Sequence, residues 1–363
     1  MKVLILANSG IGLYKFRKEL LLKLIAEGHQ VYISIPDESF VKEFENIGCL
    51  LKRIPMERRG TNPFKDLKLL FSYMQLIKEI SPGIIFSYTI KPNIFGGISA
   101  RILNIPIIPN ITGLGTTFSE NSNKLIKLIL EKLYKISLKK AQKIFFQNES
   151  NKAIFDKINI SNSPKGILPG SGVNTKDFYY REYKRNDKIY FIYFGRIMKE
   201  KGINELLEAA KIISTYYKNV QFEIVGIPED SNMMKKVLEY EKAGFIINHG
   251  YQPDITTYLD KASAVIQPSY SEGMSNVLLE ASSSGRPVIA SNIPGCKEIV
   301  EDTITGFLFE PKEVDELVIA IEKFIKLPLN DRIEMGRKAR KKVENEFSRT
   351  IIVEEYMKEL EKI

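Results

Sequence analysis

Residues 264–291, AVIQPSYSEGMSNVLLEASSSGRPVIAS, contain the pattern that decides the fold. An apolar run at 264–267 is followed by a loop, a segment with helical spacing at 276–284, and a second apolar run at 287–290. Short apolar runs joined through a helix are typical of parallel strands with a crossover helix. This stretch therefore predicts one unit of a doubly wound parallel sheet.

The same alternation continues along the whole chain. The first half has apolar runs at 3–7, 31–35, 84–87, 105–109 and 143–146, with helical spacing at 14–27, 64–80, 93–103 and 123–141. The second half adds strands at 189–194, 220–225 and 306–309 and helices at 203–217, 231–243 and 314–325. We therefore predict an α/β protein with two Rossmann-like, doubly wound parallel-sheet domains facing a cleft.

Turn-forming residues mark the boundary between the two domains. The segments 161–164 (SNSP) and 169–172 (PGSG) precede a charged stretch at 181–188. We expect a first domain at 1–165 and a second domain at 166–345. A C-terminal helix at 346–363 is expected to cross back to the first domain. Ligands of open parallel sheets bind beyond the carboxyl ends of the strands, so each domain should direct its binding loops to the cleft.

Length and composition fit this organisation. The 363 residues are 44% apolar and 27% charged, which suits two globular domains. Cys49 and Cys296 lie far apart in the sequence, so neither a disulfide framework nor a zinc site is predicted. The first apolar run is too short for a signal peptide, and no run is long enough to span a bilayer. We expect a protein that is cytoplasmic or lies peripherally on the cytosolic face of a membrane.

Charge is unevenly distributed along the chain, whose net charge is +9. Residues 1–180 hold 26 Lys and Arg against 14 Asp and Glu, whereas residues 181–363 hold 27 against 30. The basic excess of the first half predicts an anionic partner there, either a membrane surface or a nucleic acid. Ordinary solubility charge is the alternative.

Two glutamates eight positions apart flank the loop after the strand at 264–267. In Glu272-Gly-Met-Ser-Asn276-Val-Leu-Leu-Glu280, Gly273 permits close approach to a ligand and Asn276 starts a helix. We expect the N–H groups of residues 273–276 to face a phosphate or a sugar hydroxyl, because a helix N-terminus carries free donors. Glu280 is placed to accept both hydroxyls of a ribose. Two solvated carboxylates are the alternative.

A basic turn follows the first strand of the second domain. In Gly195-Arg196-Ile-Met-Lys-Glu-Lys201-Gly202, Arg196 offers a planar fork and Lys201 a point charge, a pair that suits a diphosphate. A basic surface loop is the alternative. His249, which ends a later strand beside Gly250 and Tyr251, either flanks a base or is structural.

The first domain has polar turns of its own at its strand ends. The candidate acceptor and cleft residues are Gly10, Gly12, Lys15, Arg17, Lys91, Thr112, Gly113 and Gly115. The turn at 8–12 is no dinucleotide fingerprint, because the third glycine would have to stand where Lys15 does. Lys15 and Arg17 are placed to meet phosphate.

Several chemistries lack their motifs in this sequence. No His, Cys and Asp cluster has zinc spacing, and no Asp-x-Asp occurs to hold a metal against a nucleotide diphosphate. The nucleophile elbow and the phosphate-binding Gly-Lys-Ser/Thr loop are missing as well. We therefore expect no metal and no cofactor. His29 sits in a helix-to-strand turn and is interpreted as structural.

Taken in order, the motifs resemble the glycosyltransferase family 4 group of the GT-B fold. The resemblance covers nearly the whole chain and is carried by Gly195-Arg196 with Lys201-Gly202, Glu272 to Glu280, Gly285-Arg-Pro-Val-Ile-Ala, Gly295-Cys-Lys-Glu298-Ile-Val and Gly306-Phe-Leu. In the first domain, Lys91-Pro-Asn-Ile-Phe-Gly96 and Gly113-Leu-Gly115 resemble bacterial enzymes that extend polyprenyl-diphosphate-linked glycans.

This resemblance implies a retaining, metal-independent transfer from a nucleotide-sugar, expected to be a UDP-sugar. Arg196, Lys201 and Glu272 would be catalytic, because the cations stabilise the departing diphosphate and the carboxylate contacts the donor sugar. The family is thought to let the acceptor attack from the leaving-group face, with the phosphate taking the proton. The implied donor site comprises Gly195, Arg196, Lys201, Gly250, Tyr251, Glu272, Gly273, Met274, Ser275, Asn276, Val277 and Glu280.

The sequence departs from the family in one place. Many relatives carry a first-domain histidine that contacts the donor sugar, whereas this chain has Asn110-Ile-Thr112-Gly113 at the comparable turn. The first-domain contacts to the donor are therefore left open.

The expected acceptor is a lipid-linked saccharide of surface polysaccharide, O-antigen or capsule assembly, met at the cytosolic face of the inner membrane. The segment 123–146 fits this setting, because its lysines and its leucines fall largely on opposite sides of a helical wheel. A lysine face held against anionic lipid is one interpretation, and packing on the sheet with a solvated lysine face is the other.

Two other functions are open at this point. One is a nucleotide-sugar epimerase or a phosphorylase on the same fold. The other, suggested by an isoelectric point near 9.1, is a nucleic-acid-binding protein, although no recognition motif supports it.

Overall fold

The computed structural model describes residues 1–57, 60, 62–113, 123–185 and 187–363. They form two compact units. The first unit consists of Met1–Ser171 and Thr350–Ile363, and the second of Gly172–Arg349. Among the described residues, no helix is both long enough and apolar enough to cross a membrane.

A seven-stranded parallel sheet forms the centre of the first unit. Its strands are β1 (Lys2–Leu6), β2 (Gln30–Ile35), β3 (Leu50–Arg53), β4 (Ile84–Tyr88), β5 (Ile107–Ile111), β6 (Ile144–Phe146) and β7 (Lys165–Ile167). They lie in the order β3-β2-β1-β4-β5-β6-β7. Val3 pairs with Val31 on one side and with Ile84 on the other, so the central strands are buried and almost wholly apolar.

Helices cover both faces of this sheet. They are α1 (Gly10–Ala26), α2 (Val41–Asn46), α3 (Pro63–Ile80), α4 (Gly97–Leu103), α5 (Lys124–Ser137), α6 (Glu149–Lys157) and the C-terminal α13 (Arg349–Leu360). Ile352, Tyr356 and Leu360 of α13 belong to the same core cluster as Val3 and Phe86. The last helix is therefore an integral part of the first unit from Thr350 onward.

The second unit has a six-stranded parallel sheet. Its strands are β8 (Ile189–Phe194), β9 (Val220–Val225), β10 (Ile246–Asn248), β11 (Ala264–Gln267), β12 (Val288–Ser291) and β13 (Gly306–Phe309), in the order β10-β9-β8-β11-β12-β13. Its helices are α7 (Ile203–Tyr216), α8 (Ser231–Lys242), α9 (Thr256–Lys261), α10 (Asn276–Ser283), α11 (Val314–Lys326) and α12 (Leu329–Glu346). The predicted class, two Rossmann-like parallel sheets with alternating strands and helices, is confirmed.

Some boundaries differ from those expected for local reasons. Helix α1 begins at Gly10 rather than at residue 14, because the Ser9 side chain accepts a hydrogen bond from the Gly12 N–H and caps it. The single helix expected at 93–103 is a π-helical turn, Pro92–Gly96, followed by α4. Within that turn Asn93 is buried and donates to the carbonyl of Asn110, a contact that periodicity does not reveal.

Helix α5 differs most from its helical-wheel interpretation. Only Tyr134 and Ser137 of the helix are fully buried. Leu125 and Ile129, which were expected to lie on the packed side, are 66% and 48% exposed. The outward face of α5 therefore carries large apolar side chains among its lysines, and it is not a purely basic face.

Candidate active site

The centre of the second sheet is a topological switch point. Strands β8 and β11 are neighbours, and the chain extends from them in opposite directions across the sheet. Helix α7 packs with Phe191 on one face, whereas α10 packs in the cluster of Ile192 on the other. The loops that leave β8 and β11 therefore diverge, and ligands of open α/β sheets bind at such points.

An ion pair joins these two loops. Lys201 Nζ lies 2.6 Å from Glu272 Oε1, and the two side chains are 21% and 13% exposed. Gly202, with φ at +69°, makes the approach possible, because a Cβ there would lie 1.8 Å from the carbonyl oxygen of Pro268. Lys201 and Glu272, predicted separately from two motifs, are thus brought into direct contact.

Two further polar side chains contact the same carboxylate oxygen. The Ser269 hydroxyl donates to Glu272 Oε1 at 2.8 Å, and the Gln267 amide donates to it at 3.3 Å. Ser269 and Gln267 are both buried. Three donors on one oxygen fix the orientation of the Glu272 carboxylate. This carboxylate can only accept hydrogen bonds, and it is held in place before a ligand binds.

Arg196 lies at the exposed end of the loop after β8. Its backbone carbonyl accepts a hydrogen bond from the Tyr193 hydroxyl at 2.7 Å, which holds the loop on the sheet. No described residue forms an ion pair with its guanidinium. This cation is therefore available to a ligand, whereas that of Lys201 already has a protein partner.

The loop after β12 supports the loop of Glu272. Gly295 has φ at +87°, and a Cβ there would lie 2.8 Å from the carbonyl oxygen of Gly273 and 2.9 Å from that of Glu272. The thiol of Cys296 next to it is buried, and burial with the carboxylates of Glu272 and Glu298 nearby raises its pKa well above the usual range. It stays a neutral thiol, which excludes it as a nucleophile at neutral pH.

The expected cluster of free N–H groups at residues 273–276 is only partly realised. Helix α10 begins at Asn276, as the sequence predicts, and Ser275 is its N-cap, with its hydroxyl oxygen accepting from Leu278 N. The N–H of Ser275, however, donates to the carbonyl of Gly295 at 2.9 Å. The prediction that this N–H faces a ligand is wrong, because the close approach of Gly295 occupies it.

The other members of the predicted donor set follow the same sheet edge. Met274 is buried, Val277 packs against a core cluster, and Glu280 lies one turn into α10. Gly195, with φ at +144°, donates its N–H to Val225 at the end of β9. Gly250 accepts from Gly226, and Tyr251 beside it is exposed.

His249 is part of a buried ionic cluster behind these loops. Its Nε2 lies 3.0 Å from Oε2 of Glu223, and Lys261 pairs with the other oxygen of that carboxylate. Glu223 is buried within β9, so the Lys261 ammonium and the His249 ring together partner a carboxylate that the core could not hold alone. Of the two interpretations of His249, this arrangement supports the structural one.

In the first unit, most of the predicted donors already have protein partners. The Gly10 N–H donates to the Asp37 carboxylate at 3.2–3.3 Å, and the Gly12 N–H donates to Ser9. Lys91 pairs with Asp66 at 2.5 Å. The Asp37 carboxylate therefore occupies the start of α1, and the assignment of Gly10 and Gly12 to the acceptor cleft stays a prediction.

Arg17 stands apart from the other basic candidates of the first unit. It is 5% exposed, whereas Lys15 two residues earlier is exposed. Burial lowers the pKa of Arg17, but the neighbouring hydroxyl groups of Tyr356 and Tyr88 more than offset this, so the pKa is raised and the guanidinium stays charged. Arg17 and Thr112 line one small cavity beside Gly113, and Gly115 lies outside the described residues.

Among the described residues, no group of three or more His, Cys, Asp or Glu side chains is arranged to hold a metal ion. The ionic clusters of the second unit each combine acidic with basic side chains.

Two family models match successive parts of the chain. Residues 2–148 match a model described as glycosyl transferase 4-like, and residues 176–342 match one described as glycosyl transferases group 1. The second match spans both loops joined by Lys201 and Glu272. The chain is a glycosyltransferase. Neither the epimerase or phosphorylase hypothesis nor the nucleic-acid hypothesis is supported by these matches.

Characterised relatives of this glycosyltransferase align along nearly its full length. One is the N,N'-diacetylbacillosaminyl-diphospho-undecaprenol α-1,3-N-acetylgalactosaminyltransferase of Campylobacter jejuni, 25% identical over 99% of this chain and 98% of its own. Another is the capsular polysaccharide biosynthesis glycosyltransferase CapM of Staphylococcus aureus, 29% identical over 97% and 94%.

The fold is shared with solved glycosyltransferases. The crystal structure of Anabaena HepE in complex with UDP superposes with a TM-score of 0.80 at 17% identity, over the full length of both chains. At that identity the likeness shows the fold alone. The GT-B fold expected from the motifs is confirmed.

Several buried polar residues beside the candidate site residues were not predicted from the sequence. Gln267 and Ser269, which hold Glu272, stand in a strand end and a loop that read as ordinary polar positions. In the first unit, Asn110 and Ser87 form a buried hydrogen-bond network with Asn93. The sequence signal for such residues is a polar residue at the end of an otherwise apolar strand, because a buried polar group needs a hydrogen-bond partner.

Proposed function

We propose that this glycosyltransferase moves a hexose or an N-acetylhexosamine from a UDP-sugar to a lipid-linked saccharide, with retention of configuration and without a metal ion. The observation that carries the proposal is the ion pair of Lys201 and Glu272 at the switch point, beside the exposed cation of Arg196. The arrangement combines two positive charges for a diphosphate with one oriented carboxylate for a sugar.

The two cations take the place of a metal at the departing diphosphate. Arg196 reaches it with a planar fork, and Lys201 contributes a point charge held at the sheet edge by Glu272. Charge that develops on the leaving group is stabilised best by donors that are already in position. The Lys201 ammonium is in position before the donor arrives.

The reaction exchanges one glycosidic bond for another. The bond between the anomeric carbon and the β-phosphate oxygen breaks, and the acceptor hydroxyl oxygen bonds to the same face of that carbon. The hydroxyl proton passes to the departing phosphate, so UDP leaves with both the electron pair and the proton. No protein base is required, in keeping with the engagement of His249 in a structural cluster.

The two glutamates have separate roles in this scheme. Glu272, with three protein donors on one oxygen, orients the donor sugar through its hydroxyls. Glu280, one turn farther along α10, accepts the ribose hydroxyls. The sugar and the ribose of the donor are thereby bound by side chains of one loop and of the helix that follows it.

The acceptor proposal is supported by the relatives and by the surface of the first unit. The Campylobacter relative is named for a diphospho-undecaprenol acceptor, and the Staphylococcus relative for capsule synthesis. We assign to this chain an acceptor of the same kind, a saccharide linked through diphosphate to a polyprenyl lipid, at the cytosolic face of the inner membrane.

Three helices in one layer of the first unit expose large apolar side chains. Phe64, Leu67 and Phe71 of α3 recur at helical spacing and are 83%, 50% and 60% exposed. Ile102 of α4 and Leu125 of α5 are also exposed, and α4 contacts both neighbouring helices. Lysines of α3 and α5 border these side chains. An apolar face bordered by cations suits the surface of an anionic bilayer.

Thermal shift with a panel of UDP-, GDP- and ADP-sugars tests the donor assignment. We expect UDP and UDP-sugars to raise the melting temperature and the other nucleotides to leave it unchanged. Turnover of a UDP-sugar with a short-chain polyprenyl-diphosphate saccharide should continue in excess EDTA. Stabilisation by GDP- or ADP-sugars alone would overturn the donor assignment, and loss of turnover in EDTA would overturn the metal-free one.

A further inference from the structure

A buried guanidinium in the first unit has no carboxylate partner among the described residues. Arg17 is 5% exposed, and one of its terminal nitrogens donates to the backbone carbonyl of Phe16 at 2.8 Å. Its Nε is buried and has no hydrogen-bond partner among the described residues. None of the ion pairs formed by those residues includes Arg17. Burying a charge without a counter-charge costs free energy, which a bound anion would recover.

This guanidinium lines a cavity at a sheet edge suited to ligands. The cavity lies at the carboxyl ends of β5 and β6, where parallel sheets bind their ligands. Asn110, Thr112 and Gln147 line it with amide and hydroxyl groups. Arg17 is the one charged residue of the lining, and no acidic side chain of the described residues enters it.

The hydroxyl groups of Tyr88 and Tyr356 lie near the Arg17 guanidinium, and neither is a carboxylate that would neutralise it. The guanidinium carbon lies 4.9 Å from the ring centre of Tyr88, a cation–π distance. Tyr356 of α13 donates to the side-chain oxygen of Asn110 and packs edge-on against Phe86 and Phe145 at 5.2 and 5.4 Å. The C-terminal helix thereby closes the surroundings of Arg17 with a residue more than 330 positions away in the sequence.

The other basic candidates of the first unit are less suited to bind an anion. Lys91 is neutralised by Asp66, and the start of α1 is occupied by the carboxylate of Asp37. Lys15 is exposed to water, which weakens any ion pair it forms. Arg17 combines a full charge, burial and a cavity.

We propose that Arg17 binds a phosphoryl oxygen of a substrate in this cavity, with Tyr88 and Tyr356 as its positioning residues. The assignment rests on the proposed function, in which both substrates carry phosphoryl groups. The cavity is narrow, so it admits a terminal oxygen rather than a whole diphosphate. The source of that oxygen is either the diphosphate of the lipid-linked acceptor or that of the nucleotide donor.

Titration calorimetry on the full chain separates the two sources. Pyrophosphate is titrated at low salt in the presence of saturating UDP, and UDP is titrated alone. Arg17→Met removes the positive charge while keeping much of the side-chain volume. Arg53→Met removes the same charge from an exposed arginine and serves as the control. We expect Arg17→Met to weaken pyrophosphate binding at least tenfold with UDP affinity unchanged, and Arg53→Met to change neither by more than twofold.

Each other outcome is decisive. Weakened UDP binding in Arg17→Met would assign the site to the donor phosphate and retain the proposal. A folded Arg17→Met chain that binds both ligands like the wild type would overturn it, as would a wild type that binds pyrophosphate nowhere in the first unit. These measurements need no turnover, so the thermal-shift test of the donor assignment stands or fails independently.

Two measurements remain if Arg17→Met does not fold. Hydrogen exchange of the wild type with pyrophosphate should show protection around residues 13–20 and 108–113, and its absence in both segments would overturn the proposal. Tyr356→Phe should raise the KM for the lipid-linked acceptor several-fold with kcat nearly unchanged. If the Tyr356 hydroxyl were only structural, its removal would lower the melting temperature and leave KM unaltered.

Discussion

The ammonium of Lys201 lies 2.6 Å from Oε1 of Glu272, although the two residues are 71 positions apart in the sequence. This pair joins the loop after β8 to the loop after β11, and it brings the cation that we propose for the departing diphosphate beside the carboxylate that we propose for the sugar. Both side chains are largely shielded from water, so solvent and salt screen their attraction less than they would at the surface. A donor that enters here meets charges already in place.

Replacing Lys201 with alanine should lower kcat/KM by about 10²–10³, because the loss of one hydrogen-bonded charge at a leaving group costs about 3–4 kcal/mol of transition-state stabilisation. Lys199→Ala removes an exposed lysine from the same short turn and serves as the matched control. Steady-state kinetics with a UDP-sugar measures both variants. Near-wild-type turnover in Lys201→Ala would refute its assignment.

The two glutamates should separate in binding experiments. Glu280→Ala should weaken UDP itself by roughly tenfold in calorimetry without acceptor, since two hydroxyl hydrogen bonds to a charged acceptor are lost. Glu272→Ala should weaken the UDP-sugar more than bare UDP, because its carboxylate faces the sugar. Equal losses of UDP affinity in both variants would contradict this division.

Gly295 should tolerate no side chain, whereas Gly244 should tolerate one at moderate cost. Both have a left-handed backbone, with φ at +87° and +79°, but a Cβ at Gly295 meets two carbonyl oxygens within 3 Å and a Cβ at Gly244 meets nothing within 4 Å. We expect Gly244→Ala to cost about 1 kcal/mol from backbone strain, and Gly295→Ala about 1–3 kcal/mol more from overpacking. Thermal unfolding measures the difference. A smaller loss at Gly295 than at Gly244 would contradict the described geometry.

Vesicle binding should depend on charge and on apolar surface separately. Replacing the exposed Lys132, Lys135, Lys139 and Lys140 with Gln should weaken binding to anionic vesicles, by about 1 kcal/mol for each lysine at low salt, and leave UDP affinity unchanged. Lys143 is left in place because it pairs with Glu359.

The control for this experiment is a charge-matched variant of the second unit, in which Lys211, Lys218, Lys235 and Lys323 are replaced with Gln. Phe64→Ser with Phe71→Ser in α3 should weaken binding at high salt as well, where the lysines are screened. Unchanged sedimentation with anionic vesicles in all three variants would remove the support for a membrane-facing first unit.

Stability should fall in alkaline solution through Cys49. Burial raises the pKa of its thiol to about 12, above the ordinary value of 9.0. The folded state therefore keeps a proton that the unfolded state releases, and stability is lost as pH rises from about 9 towards 12, by up to 1.4 kcal/mol per unit. Urea unfolding at pH 8 and pH 10.5 should show a steeper loss in the wild type than in Cys49→Ala. Equal slopes would refute this.

Sequence patterns predicted the strands of the sheet centres well and the edge elements poorly. Strands β1, β4 and β8 are apolar runs because helices cover both faces of each sheet. Strands β3 and β7 lie at the edges of the first sheet and are only three or four residues long, so they carry little of that signal and were missed, whereas the edge strand β13 was predicted at 306–309. The short helices α2, α6 and α9 were missed because one or two turns leave no clear periodicity.

Sequence motifs predicted individual residues of the candidate site but not the contacts between them. Lys201 and Glu272 each stood in a motif, and spacing could not indicate that they form a pair. The N–H of Ser275 was expected to be free because it precedes a helix, and it is occupied because Gly295 approaches from another strand end. Tyr356 entered no motif at all, since its partner Asn110 lies in a distant strand.

The sequence by itself determined the alternation of strands and helices, the basic and acidic residues available at the strand ends, and the family that those motifs resemble. These are local properties, set by side-chain periodicity and by the few residue types that suit tight turns. Only the tertiary structure decided which charges have a partner. Lys91 pairs with Asp66 and Lys201 with Glu272, whereas no described carboxylate pairs with Arg17. Electrostatic partnership depends on distance and burial, and both arise only when separate strands are brought to one sheet edge.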